Sequence, residues 1–404
     1  MTADARLLFA TRILRMFGYG LLSVVLVLYL IALGISGAMV GAILTLTLVG
    51  DAAISLWLTT HADRLGRRRI LVAGAALMLL AGIVFAFARD PWILLLAATI
   101  GVISPSGNEV GPFLAVEQAS LSQTLPDRDR TRVFGWYNLA GSLATATGAL
   151  AAGIIAQLLQ GSGASEIDSY RVIVVGYAVI GIGLAGLFWR VSDAVEVPLA
   201  GRTTVATRLG LHRSRGIVLR LAALFSLDAF AGGFVMQSLI AYWFHQRFGA
   251  DPAVLGAIFF GANILAGISA LAAARLAARI GLINTMVFTH LPSNVLLILV
   301  PLMPTLPLAV GVLLARFAIS QMDVPTRQSY TMAVVDPDER SAAAGVTGIA
   351  RSLGAAVSPS LATPLLQNVP LAGLPFVIAG GLKIVYDLLV LRAFSAVRPP
   401  EEQG

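Results

Sequence analysis

The sequence predicts an all-α polytopic membrane protein, with twelve transmembrane helices in two pseudo-symmetric six-helix bundles. Three observations predict it. The 404 residues are 57% hydrophobic and only 12% charged, with mean hydropathy +0.85, whereas a soluble domain is about a quarter charged. Apolar runs long enough for a bilayer, about 20 residues per crossing, recur along the whole chain. The two halves also repeat each other in sequence.

The first run, Leu7 to Leu33, is too long for the core of a signal peptide. It gives the first span, 8–33. Breaks at charge, Pro or Gly place the others at 38–60, 70–88, 92–122, 133–158, 171–190, 217–245, 254–274, 283–302, 306–334, 342–365 and 371–392. Spans 92–122 and 306–334 exceed one crossing, so their ends are expected to tilt or project. The longest polar interval, Val191 to Gly216, holds Arg202, Arg208, Arg213 and Arg215. It reads as a linker, 191–216, between bundles 1–190 and 217–404.

Basic residues orient the chain. With the N-terminus inside, nineteen Lys and Arg fall in cytoplasmic loops and three outside: Arg89, Arg171 and Arg247. That asymmetry places both termini in the cytoplasm of a multi-pass plasma or inner membrane protein. The net charge of +7 is explained by those loops, so no nucleic-acid partner is expected. The absence of cysteine excludes disulfides, thiolate metal sites and a catalytic thiol.

The repeat appears at a shift of about 210 residues. AVEQASLSQTLPDRDRT (115–131) lies over PTRQSYTMAVVDPDERS (325–341), and GSLATATGAL (141–150) over RSLGAAVSPS (351–360). SGAMVGAIL (36–44) matches DPAVLGAIF (251–259), and DRLGRRRILV has a worn counterpart in ARIGLINTMV (278–287). Two repeated six-helix bodies suit a solute carrier whose halves move against each other around a central site.

Together with the loop THADRLGRRR (60–69), these features make the chain resemble the major facilitator superfamily over essentially its whole length. The family's motif between helices two and three is matched by Asp63, Arg64, Gly66, Arg67 and Arg68, with Thr59 where its first Gly belongs. The resemblance implies a conformational latch. Asp63 would accept from the start of helix eleven near Ser341, Gly66 would turn the chain, and Arg67 would reach Glu117 at the end of helix four. Helix five, AGSLATATGALAAG (140–153), departs from the family's drug–proton antiporters, with Ala149 after Gly148 where they carry proline. Its small residues fit close helix packing.

Apart from the arginines at the span ends (Arg171, Arg190, Arg220 and Arg392), twelve Asp, Glu, Lys and Arg side chains fall inside the spans: Arg12, Arg15, Asp51, Glu109, Glu117, Asp228, Arg316, Asp323, Arg327, Arg351, Lys383 and Asp387. Each costs about 2.5–3.5 kcal/mol at a helix centre on insertion scales, so they should face a bundle interior or a wet cavity. The repeat sets Arg15 opposite Asp228 as a candidate cavity pair. Lys383 and Asp387, four apart, are expected to pair along one helix face.

Helix four carries ISPSGNEVGPF (103–113), with prolines, glycines, Asn108 and Glu109 at membrane depth. Its counterpart, helix ten, carries ARFAISQMDVPTRQSY (315–330). Irregular backbone there is tolerated only where protein or cavity water satisfies it, so both are candidate transport segments. The candidates for substrate or proton contact are Glu109, Asp323, Asp228, Asp51, Arg15, Arg316, Arg351 and Asn108. Arg351 could meet an anionic substrate or hold Glu109, and His290 could be packed core or proton relay.

No GxxxxGK[ST] phosphate loop is present, since Ile384 follows the only lysine. The histidines at 61, 212, 245 and 290 form no HExxH, and no GxSxG occurs. No enzyme, cofactor or metal is indicated. The expected activity is secondary transport of a small solute by alternating access, coupled to protons, with export preferred and the protein a monomer. A passive facilitator, a proton-symport importer, and a membrane receptor or lipid-handling protein are the alternatives.

Overall fold

The computed structural model describes residues 3–124, 127–196, 213–336 and 339–394. Among them all regular elements are helical. In chain order, α1 (Ala3–Ala32), α2 (Gly37–Leu65) and α3 (Arg67–Phe87) are continuous crossings. The fourth divides into α4 (Pro91–Ile100) and α5 (Phe113–Thr124); α6 (Asp127–Gly161) and α7 (Glu166–Trp189) follow. The seventh is α8 (Arg215–Gly233) plus α9 (Gln237–Phe248), then α10 (Pro252–Ile280) and α11 (Leu282–Leu299). The tenth is α12 (Leu306–Ser320) plus α13 (Asp323–Ala333), and α14 (Arg340–Gln367) and α15 (Leu374–Phe394) end the series.

Local chemistry sets several starts. Ser36 accepts from the Met39 amide at α2, Asp90 from those of Trp92 and Ile93 at α4, and Ser165 from Asp168 at α7. Each satisfies an amide that the first turn leaves without a partner. Pro91, which has no amide to lose, sits at the first position of α4.

Ten spans among the described residues are long and apolar enough to cross a bilayer. The two expected crossings outside that set differ for separate reasons. Crossing four is broken, so neither α4 nor α5 reaches the length. Crossing eleven, α14, is long enough, but Arg351, its serines and its prolines lower its hydropathy.

The break in crossing seven was not expected from the sequence. Gly232 and Gly233 are poor helix formers, and the Ser358 hydroxyl donates to the Phe230 carbonyl. The Phe234 amide instead donates to Ala231, closing a tighter turn.

The chain forms two compact units, Met1–Thr204 with Gln237–Phe260, and Val205–Met236 with Gly261–Gly404. Within the first, α1 packs chiefly on α6 and α7, and α3 on α7. Within the second, α8 packs on α14 and α15, and α11 on α15. The repeat makes α1, α3, α6 and α7 the counterparts of α8, α11, α14 and α15, so the same pairings occur twice. The anticipated linker falls largely at 197–212, outside the described residues.

Glycine permits the α1–α6 contact. A Cβ on Gly20 would run into the Thr145 carbonyl oxygen, and one on Gly148 into that of Phe17. Backbones meet this closely only where side chains are absent. Gly148→Val is therefore expected to cost at least the ~1–3 kcal/mol typical of overpacking. Thermal unfolding in detergent checks it, and an unchanged midpoint would rule out this close contact.

Candidate functional site

In the first unit, α1 presents Arg12 and Arg15 one turn apart in position on the same side. Arg15 is fully buried and forms a fork on Glu117 of α5, NH1 to Oε1 and NH2 to Oε2, both 2.7 Å. Its Nε donates to Glu109 Oε1 at 2.8 Å. Arg12 donates to Glu109 Oε2 at 3.0 Å and to Asn138 of α6 at 3.3 Å. Thr11 at 2.9 Å and the Tyr137 hydroxyl complete the partners of Glu117, which has no exposure. Charge-assisted forks of this kind are the strong end of the hydrogen-bond range.

Glu109 belongs to the irregular segment 101–112, whose backbone takes partners from its neighbours. Tyr177 of α7 donates to the Val102 carbonyl at 2.7 Å, and Tyr19 of α1 to Val110 at 3.0 Å. Ser104 donates to the Asn108 carbonyl at 2.6 Å, and the Gly111 amide donates to Asp51 of α2 at 2.6 Å. Non-helical backbone at membrane depth is thus satisfied by protein, as it must be. Asp51 also accepts from Ser55 at 3.2 Å. Asn108 itself is exposed.

In the second unit, Asp228 of α8 is the hub. Lys383 of α15 donates to its Oδ1 at 2.5 Å and Arg327 of α13 to its Oδ2 at 2.9 Å. His290 Nε2 of α11 stands 3.9 Å from Oδ1. Asp323 lies 3.3 Å from Arg327, one turn earlier on α13. Asp387 of α15 is held by His290 Nδ1 at 2.8 Å and by the Asn294 amide at 2.9 Å. Arg316 is buried without an ion pair among the described residues, and its guanidinium lies over the Phe317 ring.

Three pairings expected from the sequence are corrected. Arg15 and Asp228 each find counter-charges within their own unit, because α5 and α15 bring charges that chain position alone does not place. Lys383 and Asp387 do not pair along α15, since each reaches across to another helix. Glu117 is not the partner of Arg67, being taken by Arg15.

The turn after α2 is held by Glu196 instead. Its carboxylate accepts from the Arg67 amide at 2.8 Å and the Arg68 amide at 3.1 Å. Arg67 NH1 donates to the Val195 carbonyl, and Arg68 stands 3.2 Å from Asp193. Gly66 has φ 99°, in the left-handed region that disfavours side chains. Its repeat counterpart Gly281, between α10 and α11, has φ 84°. The Asp63 and Arg64 side chains, and that of Ser341, lie outside the described residues.

Sequence reasoning missed Glu196, Tyr137, Asn138 and Asn294. Only Asn294 left a signal: it follows His290 by four residues, on the same helix face.

The family model of the Major Facilitator Superfamily matches residues 8–402. The chain belongs to the Major Facilitator Superfamily and is a membrane transporter of the solute-carrying kind. An uncharacterized membrane protein of Saccharomyces cerevisiae, YJR124C, is 30% identical, over 98% of this chain and 94% of its own length. Among solved structures, the nucleoside transporter NupG superposes with TM-score 0.74 at 15% identity, covering 97% of this chain and 99% of that one. A bacterial homolog of the human lysosomal transporter Spinster, inward-facing and occupied, gives 0.75 at 15% identity over 98% and 97%. A D-xylose–proton symporter gives 0.72 at 15% identity, over 96% of each chain. At these identities the likeness is one of fold.

Proposed function

We propose that the protein is a proton-coupled secondary transporter that moves a small polar solute by alternating access between its two halves. Asp51 carries this reading. Of the six acids at membrane depth, it alone has no Arg, Lys or His side chain within ion-pair distance among the described residues. Glu109, Glu117, Asp228 and Asp323 meet arginine or lysine, and Asp387 meets His290. An acid with no counter-cation can take up or release a proton without breaking an ion pair. The titratable groups that face it are Glu109, Tyr19 and Tyr177.

Asp51 also accepts from Gly111, in the irregular part of crossing four. Its protonation state therefore bears directly on the backbone next to Glu109. Coupling in a neighbour named as a D-xylose–proton symporter supports the same reading. Export by antiport is preferred on the loop motif of Asp63, Arg64, Gly66, Arg67 and Arg68. Cytoplasmic termini follow from the distribution of Lys and Arg; the reading is completed by a monomer in the plasma or inner membrane, with bundles 1–190 and 217–404 joined at the polar interval 191–216.

The test is solute flux into proteoliposomes under an imposed pH gradient, with wild type, Asp51→Asn and Glu109→Gln compared. Gradient-driven accumulation is expected for wild type, and Asp51→Asn is expected to reduce it to equilibration. Glu109→Gln should slow flux while keeping some response to the gradient. Equilibration alone in the wild type would sink the coupling and leave a facilitator.

A further inference from the structure

The charges of the second unit do not balance. Away from the helix ends, its membrane helices hold four basic side chains, Arg316, Arg327, Arg351 and Lys383, against three acids, Asp228, Asp323 and Asp387. The acids are fully engaged: Asp228 by Lys383 and Arg327, Asp323 by Arg327, and Asp387 by His290 and Asn294. Arg351 of α14 has no ion pair among the described residues, and its buried Nε lacks a hydrogen-bond partner. Asp228 and Asp323 are near enough to act on it through space, but Arg327 opposes them.

Arg351 is not simply an unpaired cation; it lines a cavity. The space, about 170 Å³, lies among α8, α13 and α14, and its wall includes Phe225, Arg327, Gln328, Thr331, Thr347 and Arg351. At roughly 30 Å³ for each water in the liquid, that is room for five or six waters. A whole drug-sized ligand needs about 300–1,000 Å³, so this cavity suits one small group of a solute. Arg351 and Arg327 bring two cations to its wall, while the hydroxyls of Thr331 and Thr347 are spent on the carbonyls of Arg327 and Ala343. A guanidinium offers a planar fork of donors that matches a carboxylate or phosphate. An uncompensated cation at membrane depth is costly, and an entering anion would relieve that cost.

We propose that the transported solute carries a carboxylate or phosphate, and that this group docks in the α8–α13–α14 cavity on Arg351, with Arg327 as the second cation. This rests on the transporter reading above and names its substrate class, but it does not depend on proton coupling.

The test is thermal unfolding of the purified full-length chain in detergent, titrated with inorganic phosphate, acetate and succinate at constant ionic strength set with chloride. Xylitol serves as a neutral control. Wild type is expected to show a saturable rise in melting temperature with phosphate or with the carboxylates, and none with xylitol; which anion acts identifies the group. Arg351→Gln should weaken that anion about tenfold or more, and Arg351→Lys should keep part of the affinity. Gln328→Glu places an acid at an exposed position of the cavity wall and should abolish binding even if Arg351→Gln fails to fold. Equal response in wild type and Gln328→Glu, or no response to any of the anions, overturns the proposal. Anion binding with gradient-independent flux removes the coupling and leaves the site; gradient-driven flux of neutral solutes alone does the reverse.

Discussion

Arg15→Leu is expected to destabilise the first unit by about 3–5 kcal/mol, the cost of leaving a buried charge without its partner. Glu117 would keep the hydroxyls of Thr11 and Tyr137, with no exposure to water and no cation within ion-pair distance among the described residues. Glu109 suffers less, because Arg12 stays bonded to it. The double variant Arg15→Leu with Glu117→Leu should recover most of the loss, since replacing a whole buried pair by apolar groups is often close to neutral. Unfolding in detergent for wild type, both single variants and the double closes the cycle. A single-variant loss below about 1 kcal/mol would mean that water reaches Glu117, and the cluster would then not hold α1 to α5.

Fold and repeat were legible in the sequence because the bilayer constrains them directly. Apolar length, basic loops and a glycine that must turn are properties of single segments, and Gly66 and Gly281 show the same turn in both halves. Breaks in crossings four and ten could be read from their prolines. The break in crossing seven was not read, because Gly232 and Gly233 only weaken the helix and the Ser358 hydroxyl that takes the Phe230 carbonyl belongs to α14, far along the chain. The candidate site divides in the same way. Which residues are buried ions followed from their depth in apolar runs, and Asp51 has no opposite charge nearby in sequence, nor within ion-pair distance among the described residues. Partnership did not follow, because it depends on which helices adjoin. Glu117 matched the loop motif's expected carboxylate in position and type, yet α1 lies alongside and its Arg15 takes it. Glu196 stands just past α7, where sequence offered no reason to choose it over Asp193.

The repeat nevertheless holds a regularity that only the partners reveal. Arg15 and Asp228 occupy equivalent positions on α1 and α8, and each is the hub of its unit's cluster with opposite sign. Arg15 is one cation serving two acids, and Asp228 is one acid serving two cations. That topology predicts an asymmetry in the second unit. Asp228→Asn keeps the shape but strips Lys383 of its acid and leaves Arg327 with Asp323, 3.3 Å away, as its remaining carboxylate. Its expected cost is about 3–5 kcal/mol, with transport lost. Lys383→Met leaves Asp228 still bonded to Arg327 and replaces the ammonium with an apolar group of similar length, so it should cost about 1–2 kcal/mol at most. Unfolding of the two variants in detergent, with flux in proteoliposomes, tests the difference. Equal losses would show that the Lys383–Asp228 pair acts as a unit, and Asp228 would lose its place as hub. A much larger loss for Asp228→Asn fits one acid neutralising two cations, so that the charge of α13 and α15 is governed from α8.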